Sequence, residues 1–147
     1  MNSNYNLKDL IKADKRISQR WERNKIKLFF NKKDKVLIVG TLNYINKINN
    51  LGTKKIFAID ESKPSFLKIK RFKNVKFYKS NFKKLKFKKN YFNFIFCNGV
   101  LSHLESWQQT LNEFYRILKP KGKIWLNIFG DSRFRRLTSN LNKKLNK

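Results

Sequence analysis

The chain has 147 residues, enough for one domain around one core. It is 40% apolar and 15% aromatic, which excludes a disordered chain, and no apolar run approaches the roughly 18 residues of a membrane-spanning helix. Its 36 Lys and Arg against 9 Asp and Glu give a net charge of +27, and its single cysteine, Cys97, excludes an internal disulfide and a Cys/His zinc cluster.

Residues 5–28 predict a helix, because Leu7, Leu10, Ile11, Ile17 and Trp21 recur at roughly helical spacing. This N-terminus, MNSNYNLKDLIKADKR, lacks the apolar core of a secretory signal, so a cytoplasmic location is expected. Asp34-Lys-Val-Leu-Ile-Val-Gly40 is an apolar run ending in glycine, the pattern of a strand buried on both faces. A short asparagine-rich helix is expected over 42–51, then a second buried strand, Ile56–Asp60, ending in an acid. Pro64 suits the start of a helix over about 64–71. Val75–Tyr78 predicts a short third strand, and 79–90 a lysine-rich connection.

Phe92–Cys97 predicts the fourth strand. Ser106 and Gln109 match a capping box, and the helix they open sets Trp107, Leu111, Phe114, Tyr115 and Leu118 on one side. Pro120 and Gly122 stop it before a fifth strand over Ile124–Phe129. In the tail, Phe134, Leu137, Leu141 and Leu145 share a helical face among Arg133, Arg135, Arg136, Lys143 and Lys144.

Strands alternating with helices imply right-handed crossovers and a mostly parallel α/β sheet, covered by helices on both sides. The expected order of about five strands is 3-2-1-4-5, with a ligand crevice between strands 1 and 4. That crevice brings Gly40 and Asn98 to one edge. A glycine ending strand 1 lets the backbone turn closely under a ligand. Asp60, about 20 residues later, is placed to accept hydrogen bonds from two ribose hydroxyls, which suits an adenosine-containing ligand. The plainer role for Asp60 is a turn or helix cap.

The charge also has two readings. It marks a polyanion partner, RNA or DNA, or it reflects AT-rich codons, since Lys, Asn, Ile and Phe make up about half the chain. The 63–89 segment carries twelve Lys or Arg and no acid. Phe82, Phe87, Tyr91 and Phe92 interleave with its densest part, either as bases' stacking partners or as core residues of the flanking strands.

Several of these stretches resemble motifs of the class I S-adenosylmethionine-dependent methyltransferases. Val36-Leu-Ile-Val-Gly-Thr-Leu-Asn-Tyr44 occupies the place of the family's glycine loop, and Ile56–Asp60 that of its second motif. Ser80-Asn-Phe82 stands where the family contacts adenine. Phe92 to Leu104 and Tyr115 to Ile124 are similar to its fourth strand with loop and to its YRVLKPGGRL-like turn. The resemblance implies a Rossmann-like three-layer sandwich over 34–129, within one domain of 1–147. It would be flanked by an N-terminal helix (1–30) and a basic C-terminal helix (130–147), and would lack the family's last two strands. It also implies S-adenosyl-L-methionine as cofactor, held by Gly40, Thr41, Asp60, Glu61, Asn81, Phe82, Asn98 and Gly99. His103, the only histidine, lies on the loop that borders the acceptor in the family, where an imidazole can take a proton. The plainer role is a surface histidine.

The departures lie in the glycine loop. Ile38 stands where the family has an acid, and Leu42 and Tyr44 where it has glycines. Asn81 and Asn93 each replace an Asp, the first still able to accept through its amide oxygen, the second at a structural position. Two functions follow. The first is methyl transfer to an acceptor that the sequence does not identify. The second is an inactive methyltransferase-like module that binds nucleic acid or a partner protein through the basic segments 63–89 and 133–147. The tail is expected to cover the sheet edge beside strand 5, or to meet RNA or a membrane surface. A monomer and an edge-paired homodimer are both compatible with the chain.

Overall fold

The computed structural model describes residues 31–40, 53, 55–61 and 74–127. Within them run five strands: β1 (Lys35–Val39), β2 (Lys55–Asp60), β3 (Val75–Lys79), β4 (Phe92–Asn98) and β5 (Leu118–Asn127). A short 3₁₀ turn over Leu101–His103 and the helix α1 (Trp107–Ile117) connect β4 to β5. The sheet order is β3-β2-β1-β4-β5 and every pairing is parallel. The expected α/β order therefore holds. The expected helices at 5–28, 42–51 and 64–71 and the tail helix lie outside the described residues, as do Thr41, Leu42 and Tyr44.

The apolar runs form strands because both their faces are buried. Leu37, Val39, Phe57, Ile59, Ile95 and Cys97 alternate onto one face, where they meet Phe114 and Ile117 of α1 and Phe82 and Leu85 of the β3–β4 connection. Val36, Ile38, Ile56, Ala58, Phe94 and Phe96 fill the opposite face, each essentially inaccessible to solvent. There Trp125 stacks on Phe96 with ring centroids 4.5 Å apart. Each such large side chain contributes about 1.5–3 kcal/mol by leaving water.

The β3–β4 connection contains no helix, and α1 anchors it instead. The Glu113 carboxylate accepts the Leu85 amide at 2.7 Å. Arg116 donates to the Leu85 and Phe87 carbonyls at 2.9 and 2.8 Å, and to Glu113 at 2.7 Å through two nitrogens. One helical i, i+3 pair thus satisfies three backbone groups of a loop that has no ladder of its own. Asn93 has the structural role expected of it, accepting from the Lys35 amide at 3.2 Å and from Lys119 Nζ at 2.9 Å.

Three expectations are corrected. The capping box does not form: Ser106 is the N-cap residue but makes no side-chain cap bond. Tyr115 does not share the buried stripe of α1; it is 76% exposed, and the helix buries Thr110, Phe114 and Ile117. β5 begins at Leu118, six residues before the expected Ile124. Leu118 pairs with Phe92 and Lys123 with Phe94, so Lys119–Gly122 bulge out of the ladder between these pairs. Lys121 adopts φ 62° in that bulge, and Pro120, which has no amide proton, is tolerated there.

Candidate functional site

The strand order places the site. β1 pairs with β2 on one side and β4 on the other, so the chain reverses direction across the sheet at β1. Crevices at such switch points, outside the carboxyl ends of the strands, hold ligands in doubly wound sheets. Register carries Gly40 to the level of Asp60, one residue beyond the Val39–Ile59 pair, and to that of Asn98, one beyond Val39–Cys97. The sheet thus brings Gly40, Asp60, Asn98 and Gly99 to one rim.

Gly40 sits at φ 86° and donates its amide to the Ile59 carbonyl at 3.0 Å. This left-handed turn requires glycine for two reasons. A side chain at that φ is strained, and a Cβ would collide with Cγ2 of Val100. Val100, from the loop after β4, therefore packs directly on the end of β1. The two walls of the crevice touch at this point.

Asp60 ends β2 half-buried, and its carbonyl accepts the Ser80 amide at 3.0 Å. Glu61, the next residue, is exposed and its carboxylate accepts the Phe82 amide at 3.4 Å. The Phe82 ring itself is buried in the core. Asn81 is exposed, and its side-chain oxygen accepts the Lys83 amide at 2.8 Å, closing a local turn. Asn98 is buried, and its side-chain oxygen accepts from Asn127 Nδ2 at 2.6 Å. Gly99 takes φ 70° and donates to the Asn127 carbonyl at 2.7 Å. His103 is exposed at the end of the 3₁₀ turn. Thr41 lies outside the described residues.

Beneath this wall lies Cys97. Burial pushes its thiol up to about 12, against the backbone amides of Leu101 and Val100, which hydrogen-bond the sulfur and act the other way. It is a neutral core group at any physiological pH. Among the described residues no group of three His, Cys, Asp or Glu side chains is arranged to hold a metal.

Sequence reasoning missed Val100 and Asn127. Asn127 carried a signal, a lone amide closing the apolar run Ile124-Trp-Leu-Asn127 of a strand beside Asn98. Val100 carried none, because an apolar residue in a loop declares its partner only through the fold.

An all-parallel 3-2-1-4-5 sheet with a glycine turn, an acid and an asparagine at its switch point defines an α/β domain of the class I S-adenosylmethionine-dependent methyltransferase type. The sequence profile of the methyltransferase domain family matches residues 38–126, and the chain belongs to that family. No curated protein matches it. Among solved structures it is similar to a Methanococcus maripaludis protein described as an S-adenosyl-L-methionine-dependent methyltransferase. They share 19% identity and a TM-score of 0.65 over 98% of this chain and 75% of that one. It is also similar to a Haloferax volcanii protein described as a methyltransferase and solved with the Trm112 methyltransferase activator (22% identity, TM-score 0.63, 78% of this chain and 55% of that one). A third is the YcgJ protein of Bacillus subtilis (20% identity, TM-score 0.66, 85% of this chain and 58% of that one). The chain thus spans little more than half the length of the last two.

Proposed function

We propose that the chain binds S-adenosylmethionine across Gly40, Asp60 and Asn98 and directs its methyl group to an acceptor held beside the 99–103 loop. The observation that carries this reading is the switch-point register, which sets a left-handed glycine between an acid and a buried asparagine. The described residues fit the adenosine half of the cofactor. Asp60 ends β2 where a carboxylate accepts from a ribose diol, and Gly40 makes the left-handed turn that ends β1 at the rim, with Val100 packed against it. When bound, the cofactor supplies an electrophilic methyl group on a sulfonium. The chain's own share is alignment and exclusion of water. Asn98, held by Asn127, and Gly99, held by the Asn127 carbonyl, keep the β4 wall fixed. His103 stands exposed on the acceptor side, where it takes a proton from an oxygen or nitrogen acceptor.

Isothermal titration with S-adenosylmethionine and S-adenosylhomocysteine tests this. Binding of either, weakened roughly tenfold or more by Asp60→Ala, is expected, as for loss of hydrogen bonds to a charged group. No heat with either ligand at high micromolar protein overturns it.

One observation favours the second reading, a methyltransferase-like module without catalysis. Ile38 stands where the family carries an acid, and it is fully buried among the sheet's apolar residues. The cofactor's amino group has no carboxylate partner at that position. Such a module would use its basic surface for a polyanion or a partner protein, and its RNA affinity would fall steeply with salt while ignoring Asp60→Ala.

A further inference from the structure

A groove of about 530 Å³ opens beside β3 and reaches Ser80, whose amide bonds the Asp60 carbonyl at the crevice rim. This size lies within the range of small-molecule pockets. Phe57, Tyr78, Phe87 and Tyr91 form its aromatic wall, and Lys79, Lys86 and Lys88 stand at its lining. The rings pack as a cluster. Tyr78 lies nearly parallel to Phe57 at 6.3 Å, Phe87 nearly parallel to Tyr91 at 6.2 Å, and Phe87 meets Tyr78 edge-on at 5.6 Å. The cluster is rigidly backed by the buried Phe92, 5.3 Å from Phe57 and 4.9 Å from Phe87.

Tyr78 stands out in this cluster because it is 43% exposed. It packs parallel to Phe57 and edge-on to Phe87 and still leaves nearly half of its surface in solvent, on a strongly basic chain. Lys79, Lys86 and Lys88 are exposed, and among the described residues none of them pairs with a carboxylate. Exposed cations around a part-exposed aromatic ring match a ligand that alternates negative charge with planar rings. An acidic peptide would use the lysines and leave Tyr78 idle. A concave groove lined by aromatic rings suits an unstacked base better than the outer face of a duplex.

We propose that this groove binds single-stranded nucleic acid, one base stacking on Tyr78 and the flanking phosphates resting on Lys79, Lys86 and Lys88. The proposal rests on the second reading above, in which the basic surface is a polyanion contact, and it requires no bound cofactor. Stacking is blind to the 2′-hydroxyl, so RNA and DNA strands bind alike.

The test is fluorescence anisotropy of labelled U12 and dT12 with the full chain between 50 and 200 mM KCl, with heparin and poly-glutamate as polyanions that carry no bases. Tyr78→Ala is expected to weaken both oligonucleotides about tenfold, the loss of one stacked base, and Tyr78→Phe to keep them. Heparin affinity should not change with Tyr78→Ala. Lys86→Gln and Lys88→Gln should each lower the logarithmic salt slope by about 0.7. A 5-bromouracil crosslink on the unaltered chain needs no variant and should map to the peptide spanning 78–91. The proposal is overturned if U12 does not bind at 50 mM KCl, if Tyr78→Ala binds it as the parent does, or if the variant loses heparin equally. It is also overturned if poly-glutamate binds as tightly as U12, or if the crosslink maps elsewhere. Titration of the same preparation with S-adenosylmethionine reads the methyltransferase proposal separately.

Discussion

Replacing Gly40 by alanine probes the contact between the two walls of the crevice. The new Cβ meets two costs. A left-handed backbone at φ 86° costs an L-residue about 1–2 kcal/mol. The collision with Val100 Cγ2 adds an overpacking cost of about 1–3 kcal/mol. Gly40→Ala should therefore destabilise the chain by about 2–5 kcal/mol. Val100→Ala alone removes two half-buried methyl groups and should cost about 1 kcal/mol. In the double variant the clash is gone, because the remaining Val100 Cβ lies 3.7 Å from the new Cβ, an ordinary contact distance. The backbone strain persists. The pair should thus be less destabilised than the two singles together by about 1–3 kcal/mol. Urea unfolding followed by circular dichroism measures all four members of the cycle. Additivity within about 0.5 kcal/mol would refute the contact between Gly40 and Val100, and with it the placement of the 99–103 loop.

Two further outcomes concern ionisable groups. Hydrogen bonds from Arg116 hold the Glu113 carboxyl below its ordinary 4.5, so its contribution is complete above that pH and is lost as pH falls through the lowered value. Glu113→Gln should cost about 1–2 kcal/mol at pH 7, discounted for the partial exposure of Arg116, and should flatten the acid limb of a stability-versus-pH curve. An acid limb unchanged from the parent's would count against the clamp. Cys97 works in the opposite sense: its thiol ionises near 9.0 when unfolded and near 12 when folded, so stability falls as pH rises between these values, by up to about 1.4 kcal/mol per pH unit. At pH 8 the folded chain should leave a thiol reagent unconsumed and the urea-unfolded chain should consume one equivalent; rapid reaction of the folded chain would show that β4 is open.

The sheet was legible in the sequence because its strands are buried on both faces, and continuous apolar runs such as Val36–Val39 and Phe94–Cys97 are too short to be buried helices. Gly40 and Asn98 followed from strand order, and Asp60 from its spacing after Gly40. Side chains at the surface of an element were less legible. Tyr115 looks like a core aromatic, yet its position lies one step around α1 from the Phe114 face. Lys119-Pro-Lys-Gly122 reads as a turn that ends one element and precedes another. The structure instead sets it as a bulge within β5, since Leu118 has already paired with Phe92. Of the four aromatics interleaved with lysines, Phe82 and Phe92 are core residues, while Phe87 and Tyr91 are half-buried in the groove wall. Local sequence does not separate the two fates, because burial is decided by which strands lie next to each other.

The parallel order also governs when the crevice comes into being as the chain folds. Its rim takes Gly40 from β1, Asp60 from β2, Asn98 from β4 and the supporting Asn127 from β5, and pairing β1 with β4 closes a loop of more than fifty residues. Such closures are entropically expensive and come late. No fragment of the sheet carries the rim, so ligand affinity should rise only with the last pairing, and a ligand bound there would select the completed sheet over every partly assembled one.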